Sequence, residues 1–456
     1  MPDILIVILA VVFVLGVAIN IHEFGHFIVA KLLGIRVEAY SFFGLGPRIW
    51  GFKVGHTDYR VSAIPLGAYV KLYGDEATAA LEGGESEGEK VPDAELYELR
   101  PRWQKFLVMV GGPFMNIMLA LAIPFIGAMA YGVPSMPAPI VGVIKSGGAA
   151  EKAGIKPNDR IVNFGGIENP TWERIAHDSL VSPEQPMPIV VDRGGQKIPL
   201  TITPTRTEIK GNVIGDVDFD PDLGVEPVVV GTLVPDSPAV QAGLQAGDRV
   251  IAFNGQTVRN SSELTSQIRE NKDTPAKMVI ERNGERKEIQ IAAKLDEKDG
   301  IYRVGVGFNP DSIKTREKVG IGGAAAYAVN MNLEMIRLTG KVFGQLFSGK
   351  RSVKDAGLQG PVGIVQTIAQ IVRSEAGFVG LLSILTVISL NLGVFNLLPI
   401  PLLDGGQIMV LGIEKVMSWF GKTLSMAIKE KIQLAGLAII LLLMVFTLFL
   451  DVSRFF

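Results

Sequence analysis

Cysteine is absent from this chain of 456 residues. Its absence excludes disulfides and thiolate ligation of a metal, and is compatible with an oxidising compartment. An excess of one charge is missing too: 44 lysines and arginines face 46 aspartates and glutamates, for a net charge of −2. No basic surplus is left for nucleic acid, which is excluded as a partner. Lysine and arginine are lacking before Lys31, so the N-terminal apolar run has no basic n-region and outlasts the usual h-region. It reads as a retained membrane span rather than a signal peptide. Histidine is scarce, at four residues, and two of the four stand within one short motif, His22-Glu23-Phe24-Gly25-His26.

Apolar sequence, by contrast, is plentiful: 48% of residues are hydrophobic and mean hydropathy is +0.33. Four stretches of about 20 residues or more are long enough to cross a bilayer. They are Ile4 to Leu33, Phe106 to Tyr131, Gly377 to Leu398 and Ile432 to Leu450. Lys31, Arg36, Arg100, Arg102 and Lys105 flank the first two, and Lys415, Lys422, Lys429 and Lys431 lie between the last two, whereas only Arg454 follows. The positive-inside bias makes both of those loops cytoplasmic and places both termini, and the segment 132–376, outside.

From Ile4 to Val29 the only titratable side chains are His22, Glu23 and His26. On a helix, residues four apart share a face, so the two imidazoles can hold one metal ion while Glu23 serves as general base. H-E-x-x-H is a zinc metalloprotease pattern, and ionisable groups retained in hydrocarbon mark a functional site. Two histidines leave zinc short of a third protein ligand. His177 falls in the outer segment and His56 in the cytoplasmic loop; carboxylates of that loop, such as Glu38, stay open on distance alone. Topology favours Asp404. Spans one and three run in the same direction, and Asp404 follows the helix-breaking run Asn396 to Gly406, with prolines at 399 and 401, at about the depth of His22.

The segment 132–376 contains a repeat with an offset of 89 residues. Ala153-Gly154-Ile155-Lys156-Pro157-Asn158-Asp159-Arg160-Ile161 matches Ala242-Gly243-Leu244-Gln245-Ala246-Gly247-Asp248-Arg249-Val250, and Asp192-Arg193-Gly194-Gly195 matches Glu281-Arg282-Asn283-Gly284. The pattern looks like tandem PDZ domains, whose sheet edge accepts an extended peptide, with Leu223-Gly224-Val225 as a candidate carboxylate-binding loop. A spacer or size-filter role competes with peptide binding. The cytoplasmic loop divides into a β-rich part, Ser41 to Asp75, and an acidic Gly/Ala-rich connector, Asp75 to Glu98. In Val319 to Phe347, residues Glu334, Arg337 and Lys341 recur at helical spacing, as in an interfacial amphipathic helix.

H-E-F-G-H, Gly112-Pro113-Phe114-Met115-Asn116 and N-x-x-P-x-P-x-x-D-G-G together resemble the site-2 protease family of intramembrane zinc metalloproteases. Tandem PDZ modules between spans two and three are similar to its sigma-E-regulating branch, and the likeness covers the whole chain. The expected fold is an α-helical membrane protein with four transmembrane helices, a membrane-associated β-rich loop and two inserted PDZ domains of mixed α/β structure. Its segments are 1–33 (first span), 34–105 (cytoplasmic loop), 106–131 (second span), 132–222 and 223–312 (PDZ), 313–376 (amphipathic helices), 377–406 (third span), 407–431 (cytoplasmic loop) and 432–456 (fourth span). The resemblance implies a Zn²⁺ endopeptidase of the bacterial inner membrane, with His22, His26 and Asp404 as ligands and Glu23 as base. Asn396 and Tyr69 would bind substrate, with the backbone between Tyr59 and Tyr69 accepting it as an added strand. Substrates would be single-pass membrane proteins within the lipid bilayer, such as a trimmed anti-sigma factor, and remnant signal peptides; peptide tails would occupy the PDZ grooves. The competing readings are a membrane zinc transporter and a PDZ-based scaffold.

Overall fold

Hydrocarbon offers a backbone N–H or C=O no partner, so an apolar run must close its hydrogen bonds within itself. Among the described residues of the computed structural model, four helices are long and apolar enough to cross a membrane: Ile4–Leu32, Arg102–Tyr131, Gly377–Asn396 and Ile428–Ser453. The structure describes residues 2–42, 44–64, 67–74, 91–135, 138–209, 212–222, 224–296, 301–308, 316–374, 377–422 and 424–453. Of the acidic connector at 75–98, residues 75–90 lie outside the described residues, as do Phe43, Leu223 and Arg454, while Asp93–Glu95 form a single 3-10 turn. The described chain forms two units, one of residues 1–131, 319–336 and 358–456, the other of 132–318 and 337–357.

In the first unit, α1 (Pro2–Leu32) is followed by four strands: β1 (Val37–Ser41), β2 (Leu45–Val54), β3 (Thr57–Ile64) and β4 (Tyr69–Leu72). Next comes α2 (Arg102–Tyr131). After the second unit begins, α3 (Ile321–Phe347), α4 (Pro361–Arg373), α5 (Gly377–Asn396), α6 (Asp404–Trp419) and α7 (Met426–Ser453) complete the helices that matter here. A Cβ on Gly25 of α1 would stand 2.1 Å from the Gly111 carbonyl oxygen of α2, so only glycine lets these backbones touch. Ala10, Val14 and Ala18 recur every fourth residue on α1 and pack with Ile368 of α4 and Leu385 of α5. The N-terminus of α4 is held from α7. The buried Asp451 carboxylate accepts the Gly360 and Gly363 N–H groups at 2.9 and 3.0 Å.

The β-rich loop forms a four-stranded sheet in the order β2-β3-β1-β4, with β1 parallel to β3 and antiparallel to β4. Its inner side, with Val37, Tyr40 and Leu72, packs with Phe27 of α1 and Val108 of α2. Because β3 is paired on both sides, Tyr59 stands inside the sheet and cannot accept an added strand. The edge available beside α1 is β4.

The third apolar run ends as a helix at Asn396, two residues before the expected limit. Pro399 has no N–H to give and pushes Leu398 out of the helical region. The chain then turns through Leu402, whose φ of 86° is left-handed, and a new helix starts at Asp404.

Among the described residues of the second unit, two sheets have more than two strands. One runs Gln196–Ile202, Met187–Arg193, Arg160–Phe164, Ile167–Glu168; the other runs Glu285–Ile291, Ala276–Arg282, Arg249–Phe253, Val228–Leu233, Val306–Phe308. The offset of 89 persists into their interiors. Ile155, Ile161, Phe164, Ile189 and Val191 fill one core, and Leu244, Val250, Phe253, Met278 and Ile280 fill the other. One edge of the second sheet is Val306–Phe308, remote in sequence from the expected loop at 223–225. The charged face expected of α3 is engaged with protein: Arg337 and Lys341 donate to Asp178 at 2.9 and 2.7 Å.

Candidate metal centre and active site

A helix repeats every 3.6 residues, so α1 brings His22 and His26 to one face with their ring centroids 4.9 Å apart. The Nε2 atoms of the two rings lie 3.3 Å from each other. Asp404, first residue of α6, adds its carboxylate, with Oδ2 3.1 Å from His22 Nε2 and Oδ1 3.5 Å from His26 Nε2. These three ligand atoms lie within 4.8 Å of one another. Tetrahedral zinc with bonds of about 2.0–2.2 Å holds its ligand atoms roughly 3.3–3.6 Å apart, so the donor set fits that ion.

The protonation pattern fits as well. His26 Nδ1 is 2.7 Å from the Val108 carbonyl oxygen, which only accepts. The ring proton of neutral His26 therefore sits on Nδ1 and leaves the Nε2 lone pair directed at Asp404. Gly112 of α2 makes room for both rings: a Cβ there would lie 2.4 Å from His26 Nε2 and 2.9 Å from His22 Cε1.

Glu23 lines a cavity of ≈ 240 Å³ together with both histidines, Asn396, Asp404 and Val70. Val70 of β4 lines the same cavity as Glu23, so the sheet edge borders the candidate base. Asn396, the last residue of α5, directs its amide to within 3.2 Å of His22 Nε2. Burial and the Glu23 charge push the Tyr40 phenol of β1 up from its ordinary value.

Of the residues singled out from sequence, His22, Glu23, His26, Asn396 and Asp404 come together, and Tyr69 does not. Tyr69 lies under the Arg60 guanidinium, 5.9 Å from its ring centre, while its neighbour Val70 lines the cavity. Glu38 pairs with Lys71 at 3.0 Å and His56 is exposed, so neither joins the cluster. His177 belongs to the second unit. Sequence reasoning did not assign Gly112, Val70 or the Val108 carbonyl; the first belongs to the G-P-x-x-N motif, the second stands one position beyond the expected Tyr69, and the third is a backbone atom that carries no residue signal.

The sequence model described as "Peptidase family M50" matches residues 10–443. A protein named "Putative zinc metalloprotease" from Pasteurella multocida is 31% identical over 97% of this chain and 98% of its own length. "Regulator of sigma-E protease RseP" of Escherichia coli is 30% identical over 96% of this chain and 97% of that protein. Among solved structures, the PDZ domain of an SdrC-like protein from Listeria innocua matches at 28% identity and a TM-score of 0.17, over 18% of this chain and 94% of the domain. An HtrA-type protease, AlgW with a decapeptide, matches at 16% identity and a TM-score of 0.16, over 34% of this chain and 57% of AlgW.

Proposed function

This chain belongs to peptidase family M50, and from that premise we propose that His22, Glu23, His26 and Asp404 are its hydrolytic centre. The protein is an intramembrane zinc metallopeptidase of the site-2 type, acting in sigma-E envelope stress signalling. One observation carries the assignment of the centre: three lone-pair donors from α1 and α6 converge within 4.8 Å, and a carboxylate base lines the same cavity. Zinc bound by His22, His26 and Asp404 supplies Lewis acidity and acidifies water.

The chain's own groups do the rest. Glu23 accepts a proton from the attacking water and returns it to the leaving amine nitrogen as the C–N bond breaks. Asn396 holds the substrate backbone beside His22. A helical substrate hides its scissile bond in its own hydrogen bonds and must unwind before cleavage. The β4 edge accepts the unwound segment as an added strand, and the cavity that Val70 and Glu23 both line brings that edge to the base.

The substrate in this reading is a single-pass membrane protein, such as an anti-sigma factor already trimmed outside, or a remnant signal peptide. The two repeats of the second unit are PDZ modules. In the second, an open groove of ≈ 420 Å³ between the helix Ser261–Asn271 and the strand Val306–Phe308 suits a peptide tail. Both termini and these modules face the periplasm, and the centre lies near the cytoplasmic side of the inner membrane, a reading that the lysine and arginine distribution supports.

The test is reconstitution of the full chain in lipid with a trimmed single-span substrate. Glu23→Gln is expected to lower the cleavage rate about 10²–10⁴-fold while zinc content stays at the wild-type level. His26→Ala and chelation are expected to remove zinc and cleavage together. Undiminished cleavage by Glu23→Gln would falsify the assignment of the base. Zinc movement across the bilayer that survives Glu23→Gln would point to a transporter instead.

A further inference from the structure

His26 has its proton fixed by the Val108 carbonyl of α2, and at His22 a side chain of that same helix takes the corresponding place. The His22 Nδ1 faces the fully buried side chain of Asn116 of α2, whose Nδ2 is placed 3.3 Å away with Oδ1 toward α5. Asn116 is held in turn by α5. Ser389, also fully buried, donates its hydroxyl proton to the Asn116 backbone carbonyl at 2.9 Å and stands 3.3 Å from the Asn116 side-chain oxygen. Gly393, four residues on and on the same face of α5, lets that helix approach Asn116 Cβ.

From this chain of contacts we infer that Asn116 is a positioning residue for the metal centre: it fixes His22 as the Nδ1–H tautomer. The inference rests on the metal-ligand reading of His22. A half-turn of the carboxamide exchanges Oδ1 and Nδ2 and leaves every other atom in place. With Oδ1 toward His22, the amide accepts the Nδ1 proton and its Nδ2 donates to the lone pairs of Ser389, whose own proton is already committed. Every buried polar atom in the chain of contacts is then satisfied. With Nδ2 toward His22, the ring proton moves to Nε2 and blocks the lone pair that faces His26 and Asp404. Only the first arrangement leaves all three ligand atoms free to coordinate. The Gly112 and Asn116 positions of one motif thus serve the two imidazoles in different ways, one by space and one by a proton.

The experiment uses the full chain in detergent, with zinc competition against a chelator and ¹⁵N shifts of labelled histidine rings. Asn116→Leu matches the amide in size but accepts nothing, and is expected to bind zinc about 10–100-fold more weakly. Its His22 ring signals are expected to lose the Nδ1–H pattern in the metal-free protein. Asn116→Asp keeps an acceptor and is expected to return affinity to within a few-fold of wild type. Ser389→Ala, which frees the amide to turn, is expected to fall between the two. Wild-type affinity and ring signals in Asn116→Leu overturn the inference. So does an Asp variant as impaired as the Leu variant, which indicates packing alone. If Asn116→Leu does not fold, the Asp and Ala arms decide the matter by the same signals. A wild-type chain that binds no zinc, or a His22→Ala variant that binds it normally, refutes the metal-centre reading itself, an outcome separate from the others.

Discussion

Asp159 and Asp248, 89 positions apart, each receive the same three donors. Arg193 contacts both Asp159 oxygens at 2.7 Å and the Lys156 N–H adds a third contact at 2.8 Å. Arg282 contacts Asp248 at 2.6 and 2.7 Å, with the Gln245 N–H at 2.8 Å. Burial alone would raise these carboxyls, but the arginine and backbone donors outweigh it and hold both below the ordinary aspartate value. A carboxyl depressed in the folded state stabilises the fold above its unfolded pKa, and that contribution disappears as pH falls through the folded value. The thermal midpoint of the second unit is therefore expected to decline below about pH 4, and Asp248→Asn is expected to flatten that decline. A pH titration of unfolding followed by circular dichroism checks both. At this scale the sequence exposes Asp159 and Arg193 as two separate pieces of a repeat, and the fold makes them partners. Tyr69 misses the site by one position, because neighbours on a strand point to opposite faces and the aromatic residue takes the wrong one.

Among the elements, α4 depends on a side chain it does not contain. Asp451 of α7 accepts the Gly360 and Gly363 amides, and a Cβ on either glycine would crowd that carboxylate. Asp451→Leu leaves two buried donors unmet at the positive end of a helix, costing on the order of 1–3 kcal/mol. Hydrogen exchange at 360–364 is expected to speed up in that variant, with α1 unaffected. Helix ends of this kind were partly legible. The prolines at 399 and 401 announce where α5 must stop, and the carboxylate beyond them is conspicuous among apolar residues. The tie from residue 451 back to 360 leaves no local trace, since a lone acidic residue near a chain end reads as solvated. Likewise composition suggested strands after Ser41, but which strand forms the edge follows from the β1–β3 parallel pairing, a non-local fact.

At the level of the whole molecule, the described residues fall into regions with separate interiors. The cores around Phe164 and Phe253 share no residue, and neither includes any part of the helical unit. Phe253→Ala is expected to cost about 3–5 kcal/mol within its own half. Limited proteolysis should then release fragments from 224–296 while 138–209 persists; equal sensitivity of both halves would show that they unfold together. The duplication was readable in advance because turn chemistry repeats at constant spacing, and the buried positions follow the same spacing. The meeting of α1 with α6 was readable only through direction of crossing and depth.

That meeting has a consequence for biosynthesis. On the proposed assignment, a ribosome that has finished residue 26 has made both imidazoles and the acid–base group, yet the third ligand lies at 404. At roughly 5–20 residues per second, tens of seconds separate the two events. A nascent or prematurely terminated polypeptide ending before Asp404 carries an incomplete cation cradle, so hydrolytic capacity is withheld from the bilayer until nearly the entire message has been translated.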